Sequence, residues 1–530
     1  MKLSWEFPYL SQRMPIFARN VVATSQPLAA QAGLQMLVKG GNAVDAALAT
    51  AIALTVVEPT SNGIGGDAFA LVWSKGKLFG LNGSGKSPKA WTYKRFSTLE
   101  DMPLLGWDAV TVPGAVDAWV KLSERFGNLP FAELFAPAIE YARNGFIVSP
   151  ITAARWFDVQ KTYLDFPEFG RTFLPGGKAP RAGQLFCCPD QAISLTAIAE
   201  SHGESFYRGD LAKRIVECAA TDGGAITLED LENHDAEWVE PISIDYHGKC
   251  LHEIPPNGQG LASLIALGIL RNYDMQKYPI DSADSVHLQI EAMKIAFAEA
   301  HRHIADPNYM PASPSDFLKG DFLAKRAQQI RMDRATHPVA TIPVDHGTVY
   351  LTAADKNGLM VSFIQSNYLG FGSGIVIPGT GISMQNRGCG FVIEEGHPNC
   401  VDGGKRPYHT IIPGFVTQND RPLMSFGVMG GHMQPQGHVQ MMVRIFDYGQ
   451  NPQAACDAPR WILNRDFSIS LEAGFSSDAI RELKQRGHNI LPKAPTFLSE
   501  GLGGAQLIFC LEDGYCAASD PRKDGQALGF

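Results

Sequence analysis

The chain lacks a membrane span. Its most apolar run, Ala46 to Val57 (AALATAIALTVV), is 12 residues long, well short of the roughly 20 that a spanning helix needs. Bounded by Asp45 and Pro59, it reads as a buried helix. A basic surplus is missing too: 45 Lys and Arg stand against 54 Asp and Glu, a net charge of −9, with no basic cluster, which argues against a nucleic-acid binder. The nine cysteines are odd in number and scattered, without a C-x-x-C pair, and Cys187 and Cys188 are neighbours poorly placed to bridge. Reduced, buried thiols in a cytoplasmic setting are expected instead. The opening MKLSWEFPYLSQRMPIF has no apolar core and no small-residue cleavage site, so no secretory signal is expected. His301, His303 and Glu299 do not have H-E-x-x-H spacing and read as solvated helix positions, not a metal site. No repeat or low-complexity linker divides the chain.

What is present fits a globular protein with a large core: 45% hydrophobic and 19% charged residues over 530 positions. GGNAVDAALATAIALTVVEP carries helix signals, with Asn42 as N-cap and Asp45 in the first turn. The turn NGIGGD and the apolar AFALVW, a buried strand, follow. Val286, Ile290, Met293, Phe297 and Ile304 recur at helical spacing and predict one long amphipathic helix ending before Asp306. From Thr348 the pattern changes to TVYLTAA, the turn DKNG and LMVSFIQS, a β-hairpin.

Residues 80–87, GLNGSGKS, satisfy the phosphate-loop pattern letter for letter. Pro88 follows at once, however, and disfavours the helix that would have to open at Ser87 to hold an anion. The segment reads as a glycine-permitted turn after the strand KLFGL.

The chemistry points to Thr348. Gly347 ahead of it has no side chain to obstruct attack on its own carbonyl. A threonine there can attack the preceding peptide bond. Hydrolysis of the resulting ester leaves Thr348 as a new N-terminus whose amine, titrating near about 8, serves as base for its own hydroxyl. That chemistry needs no cofactor and no metal.

Blocks along the whole chain resemble the γ-glutamyltranspeptidase family of N-terminal-nucleophile hydrolases: residues 21–69, TVPGAVDAW, GGAITLEDL, TVYLTAADKNG, GFGSGIVIPGTGI, KRPYHTIIP, MGG and ASDPRKDGQALGF. The resemblance implies an α+β fold, a four-layer αββα sandwich. It also implies self-cleavage between Gly347 and Thr348 into two intertwined subunits, residues 1–347 and 348–530, that stay associated; a dimer of such heterodimers is left open. Thr348 is implied as nucleophile, Ser366 as the hydroxyl that orients its amine, Thr352 as a second nearby hydroxyl, and Gly430 and Gly431 as donors to the oxyanion.

The departures from the family pattern carry the substrate information. Ser84 stands where the family binds the substrate's α-carboxylate with arginine, and Gly390 where an aspartate holds the α-amino group. His409 and Thr410 replace the usual paired serines. Charge-assisted hydrogen bonds are worth about 1.5–3 kcal/mol each, so a γ-glutamyl substrate is disfavoured. Arg387 offers a planar fork for one carboxylate, with His409, Thr410 and Tyr368 as further polar contacts. The expected partner is a small acidic amide without an α-amino group. Within the family this is similar to the branch that hydrolyses oxamate to oxalate and ammonia, with a glutaryl-type β-lactam acylase as rival. A silent binding protein on the same scaffold is the non-enzyme alternative.

Overall fold

The computed structural model describes residues 13–336, 347–491 and 500–530. Residues 1–12, on which most of the signal-peptide expectation falls, and His346 lie outside them.

The hairpin expected after Thr348 is the centre of the fold. Strands Val349–Ala354 and Met360–Ser366 pair antiparallel, Val349 opposite Gln365 and Thr352 opposite Ser362, and Gly358 closes the turn at φ +84°, a conformation glycine adopts without penalty. Neither strand has a solvent face. Val349, Leu351 and Ala353 pack against helices, whereas Tyr350 and Ala354 point to a second sheet. Val349–Ala354 is therefore β-branched or apolar on both sides, as a strand covered twice requires, whereas Met360–Ser366 also buries Ser362, Gln365 and Ser366.

The hairpin lies inside a seven-stranded antiparallel sheet in the order Gln526–Gly529, Val21–Thr24, Val349–Ala354, Met360–Ser366, Asp67–Ser74, Lys77–Gly83, Glu237–Val239. A second seven-stranded sheet runs Ile16–Ala18, Tyr515–Ser519, Gly504–Cys510, Arg421–Met429, Gly414–Gln418, Lys249–Glu253, Ile242–Tyr246. Their facing sides share one apolar layer that includes Phe69, Leu71, Ile254, Tyr350, Ile364 and Phe415. The approach is close: a Cβ on Gly427 would stand 2.4 Å from the Tyr350 ring. Helices Pro27–Val38, Ala43–Val57 and Ala115–Phe126 cover the first sheet, and Gly260–Leu270, Ala283–His303 and Met433–Met442 the second. The architecture is thus the expected αββα sandwich, and each sheet draws strands from both sides of the Gly347–Thr348 bond.

Helix Ala43–Val57 begins as its sequence indicates: Asn42 accepts from the Val44 and Asp45 N–H groups, and Asp45 answers from the Asn42 N–H. All its residues are buried, which small alanines permit. Helix Ala283–His303 has the expected extent but not the expected solvent face, since residues 285–297 are buried on every side. The expected turn in GLNGSGKS is also corrected. The strand continues to Gly83, and Gly85 then crosses so close to Val112 that a Cβ there would lie 1.5 Å from its carbonyl oxygen. No helix opens at Ser87, whose hydroxyl donates to the Asp402 carbonyl at 2.5 Å. Among the described residues no helix is long and apolar enough to cross a membrane.

Candidate active site

Thr348 immediately precedes its strand, so its side chain falls on the inter-sheet face with Tyr350, and it is 1% exposed. Its Oγ1 donates to Ser366 Oγ at 3.3 Å, and Ser366 Oγ donates in turn to the Gly347 carbonyl oxygen at 3.0 Å. The Tyr368 N–H donates to Ser366 Oγ at 2.7 Å. One serine thus joins the hydroxyl of Thr348 to the carbonyl it would attack. Tyr368 achieves this at φ +75°, a left-handed conformation that costs a non-glycine residue about 1–2 kcal/mol. Thr352 is not part of the cluster. Four residues along a strand is roughly 13 Å, and its hydroxyl instead donates to the Val361 carbonyl at 2.8 Å and meets Ser425 Oγ at 2.6 Å, bracing one sheet against the other.

Gly430 and Gly431 link strand Arg421–Met429 to helix Met433–Met442 at φ +110° and +52°. Their peptides are fixed: the Gly430 carbonyl accepts from the Met433 N–H at 2.8 Å, and that of Gly431 from Gln259 Nε2 at 2.9 Å. Gln259 Nε2 also donates to the Thr410 carbonyl, and its Oε1 accepts from the Tyr408 hydroxyl at 3.0 Å. A buried glutamine therefore ties the glycine pair to Tyr408 and Thr410, which line a cavity that Thr348, Ser366, Gly430 and Gly431 do not themselves line.

That cavity measures about 330 Å³ and is lined by Tyr368, Arg387, Gly390, Phe391, Tyr408 and Thr410 among others. Arg387 is 1% exposed. Its Nη1 donates to Thr410 Oγ1 at 2.6 Å and its guanidinium lies 4.8 Å from the centre of the Tyr368 ring. Nε and Nη2 are buried without a protein partner. Burial lowers the guanidinium to about 10, with Asp67 pulling the other way, so it remains a cation at neutral pH. An unpaired buried cation is costly to keep; two open N–H groups side by side suit one carboxylate. Gly390 leaves no room for the acidic side chain the family carries there, because a Cβ would stand 2.4 Å from the Tyr408 carbonyl oxygen. Ser84 is absorbed elsewhere, donating to Asn82 Oδ1 at 2.7 Å.

His409 does not reach the cavity, and its expected substrate contact is corrected. Its Nε2 donates to Asp67 Oδ2 at 3.0 Å while Nδ1 accepts from the Ile411 N–H at 3.4 Å, so neither nitrogen remains for a ligand. Both side chains are fully buried. Asp67 ends the NGIGGD turn directly opposite Ser366 in the sheet, and its Oδ1 accepts from the Gly114 N–H at 3.0 Å. The pair holds the chain at His409 and Thr410, hence the oxygen that receives Arg387. Burial drives the Asp67 carboxyl up to about 7, against the Arg387 charge and two backbone donors; burial, then Arg387, pushes His409 well below its usual value. The native protein thus binds the Asp67 proton more tightly than the unfolded chain does. The stability this contributes is complete below about pH 3.8 and lost as pH rises to about 7. Measured by urea denaturation against Asp67→Asn, wild type is expected to lose up to about 4 kcal/mol across that window, at about 1.36 kcal/mol per pH unit, and nothing further above it. A pH-independent difference would remove the assignment.

His301 is not a solvated helix residue. It lines the cavity, stacks on Phe297 and leans on Tyr408, and burial pushes it down to about 3. His432 packs against Phe297 and is not among the lining residues. His287, Glu291 and His488 bring ligand atoms within 4.8 Å of one another. Glu291, however, is already paired with Lys294 at 2.8 Å and bound by the Thr336 N–H at 2.9 Å, so a dication there would add to a cation already buried.

The fold is that of a family of hydrolases. The gamma-glutamyltranspeptidase family model matches residues 29–530, and the chain belongs to that family. It is accordingly an enzyme of the N-terminal-nucleophile amidohydrolase class. Among solved structures it is similar to a cephalosporin acylase from Bacillus halodurans, with 48% identity, a TM-score of 0.95, and coverage of 100% of this chain and 99% of that one. It is 36% identical to a glutathione hydrolase-like proenzyme of Bacillus subtilis, over 97% of this chain and 99% of the relative. Identity to the oxamate amidohydrolase proenzyme of Klebsiella pneumoniae is also 36%, over 95% and 97%.

Proposed function

We propose that the protein is a self-processing amidohydrolase that cleaves the amide of a small carboxylic acid lacking an α-amino group. The observation that carries the substrate class is Arg387, a buried, charged lining residue of the cavity whose Nε and Nη2 have no hydrogen-bond partner among the described residues. The proenzyme names of the relatives support processing. So does the chain of hydrogen bonds from Thr348 through Ser366 to the Gly347 carbonyl.

Processing begins when Thr348 Oγ1 attacks the Gly347 carbonyl carbon. Its proton passes to Ser366 as Ser366 donates its own to the carbonyl oxygen. Collapse breaks the C–N bond, leaving an ester on Oγ1 and the Thr348 nitrogen as an amine; water then hydrolyses the ester and frees the Gly347 carboxylate. In turnover the amine takes the hydroxyl proton, Gly430 and Gly431 N–H groups stabilise the oxyanion, and the proton is passed to the departing nitrogen; water, deprotonated by the same amine, then cleaves the acyl ester, releasing the carboxylate and restoring the Thr348 hydroxyl. The two pieces, residues 1–347 and 348–530, remain held by their shared sheets.

Oxamate, the substrate named for one 36% identical relative, is the first reading, and the free cysteines suit a reducing cytoplasm. A glutaryl-type acyl group is the second reading, favoured by a cavity of about 330 Å³, which oxamate alone does not fill. Ammonia or amine release from oxamate, glutaramate and a γ-glutamyl anilide tests this. The first two are expected to exceed the third in kcat/KM by at least about 100-fold, the value of two lost charge-assisted contacts. Preference for the γ-glutamyl compound would overturn the proposal.

A further inference from the structure

We propose that Gln434 is a further catalytic residue, whose side-chain amide holds the Thr348 oxygen as that atom loses its proton. The inference rests on Thr348 being the nucleophile. Gln434 is fully buried in the first turn of helix Met433–Met442, and besides Ser366 it is the described side chain hydrogen-bonded to the attacking atom, with Nε2 at 3.5 Å from Thr348 Oγ1.

The orientation of the amide follows from its partners. The Ile412 N–H can only donate, and it meets Gln434 Oε1 at 2.9 Å, so the oxygen must face Ile412 and the NH₂ group must face Thr348. Thr348 directs its proton to Ser366 Oγ, which leaves a lone pair of Oγ1 towards the amide. A chain of donors results, running from Gln434 to Thr348 to Ser366 to the Gly347 carbonyl.

A distance of 3.5 Å is long for a bond between neutral groups. Negative charge on the acceptor shortens such contacts to about 2.7–2.9 Å and roughly doubles their strength, and catalytic contacts commonly tighten only as charge develops. Gln434 therefore does little for the resting hydroxyl and more for the oxygen in transit. The same helix start carries Gly430 and Gly431, so donors to the nucleophile and to the proposed oxyanion are set by one turn of backbone. A preorganised donor placed where charge develops is worth about 10²–10³ in kcat.

A brace between the helix and the Ile412 segment is the competing account, and Gln434→Glu separates the two. It keeps an oxygen for the Ile412 N–H and replaces the donor by a carboxylate, whose charge the neutral Gln434→Met controls for. Expected are a fall of about 100-fold in both the self-cleavage rate and kcat, KM within about twofold, and undiminished binding of glutarate, the probe for an intact Arg387 pocket. Activity should partly return as pH is lowered and the introduced carboxyl gains a proton to donate, whereas wild type only declines in acid. Gln434→Met, which can never donate, should show the same loss without that return. The proposal falls if either variant stays within about threefold of wild type, if the acid recovery is missing, or if kcat and glutarate binding are lost together, since a brace would then have been removed. Thr348→Ala, assayed alongside, tells the two levels apart: activity in that variant defeats the nucleophile itself, whereas a dead Thr348→Ala beside an active Gln434→Glu defeats only the role of Gln434.

Discussion

Thr348→Ala is expected to give a single chain of 530 residues on a denaturing gel and no release of ammonia from any amide in the panel. In the proposed mechanism the hydroxyl acts twice, once against the Gly347 carbonyl and once against substrate, and no other described group in the cluster is placed to replace it. Ser366 Oγ points at the Gly347 oxygen, not at its carbon, and Thr352 is engaged with Ser425. Loss of a nucleophile in a comparable acyl-transfer enzyme costs about 10⁶ in kcat, which places the variant below detection. Thr348→Ser retains the oxygen and is expected to be cut and active at a reduced rate. A two-band pattern from Thr348→Ala would mean that another residue makes the cut.

Arg387→Ala is expected to lower kcat/KM for a carboxylate-bearing amide by about 10²–10³, equivalent to roughly 3–4 kcal/mol for a forked, charge-assisted contact out of water. Arg387→Lys should recover little, because an ammonium offers a point charge where the site presents a planar pair of donors. The amide of the corresponding methyl ester supplies the control, since it has no carboxylate to lose and its much poorer rate should respond little to the substitution. Stability is expected to move the other way. Nε and Nη2 have no hydrogen-bond partner among the described residues, and with only a partly protonated Asp67 attracting the guanidinium its deletion removes more desolvation penalty than attraction. The thermal midpoint of Arg387→Ala should equal or exceed that of wild type. A large drop in the midpoint, or equal losses on acid and ester, would show that the guanidinium supports the fold and not the ligand.

Local signals in the sequence located what is local in the structure. Asn42 and Asp45 cap their helix as their types require, and the strand-turn-strand pattern from Thr348 is the central hairpin. No helix opens at Ser87, as the proline after it indicates. The misplacements share a different origin. Thr352 is close to Thr348 in sequence and on the same strand face, yet extension carries it away to the opposite sheet. His409 is a plausible ligand by type, but its two nitrogens are taken by Asp67 and the Ile411 N–H. The first of these partners is supplied from hundreds of residues away. Asp67, Gln259 and Gln434 went unremarked because glycine-rich turns and a buried helix start give a carboxylate or an amide no distinctive pattern. The absence of H-E-x-x-H spacing says nothing of where His301 packs; Phe297 and Tyr408 decide its surroundings.

Shared sheets give the proposed cut a further meaning. The Gly347 carbonyl, the Thr348 hydroxyl and Ser366 converge only once Val349–Ala354 has been zipped between Val21–Thr24 and Met360–Ser366. A misassembled polypeptide has no means of severing itself. Every two-piece molecule therefore keeps a permanent receipt of having reached its native form, and a population of variants can be sorted by gel into those that once arrived and those that never did.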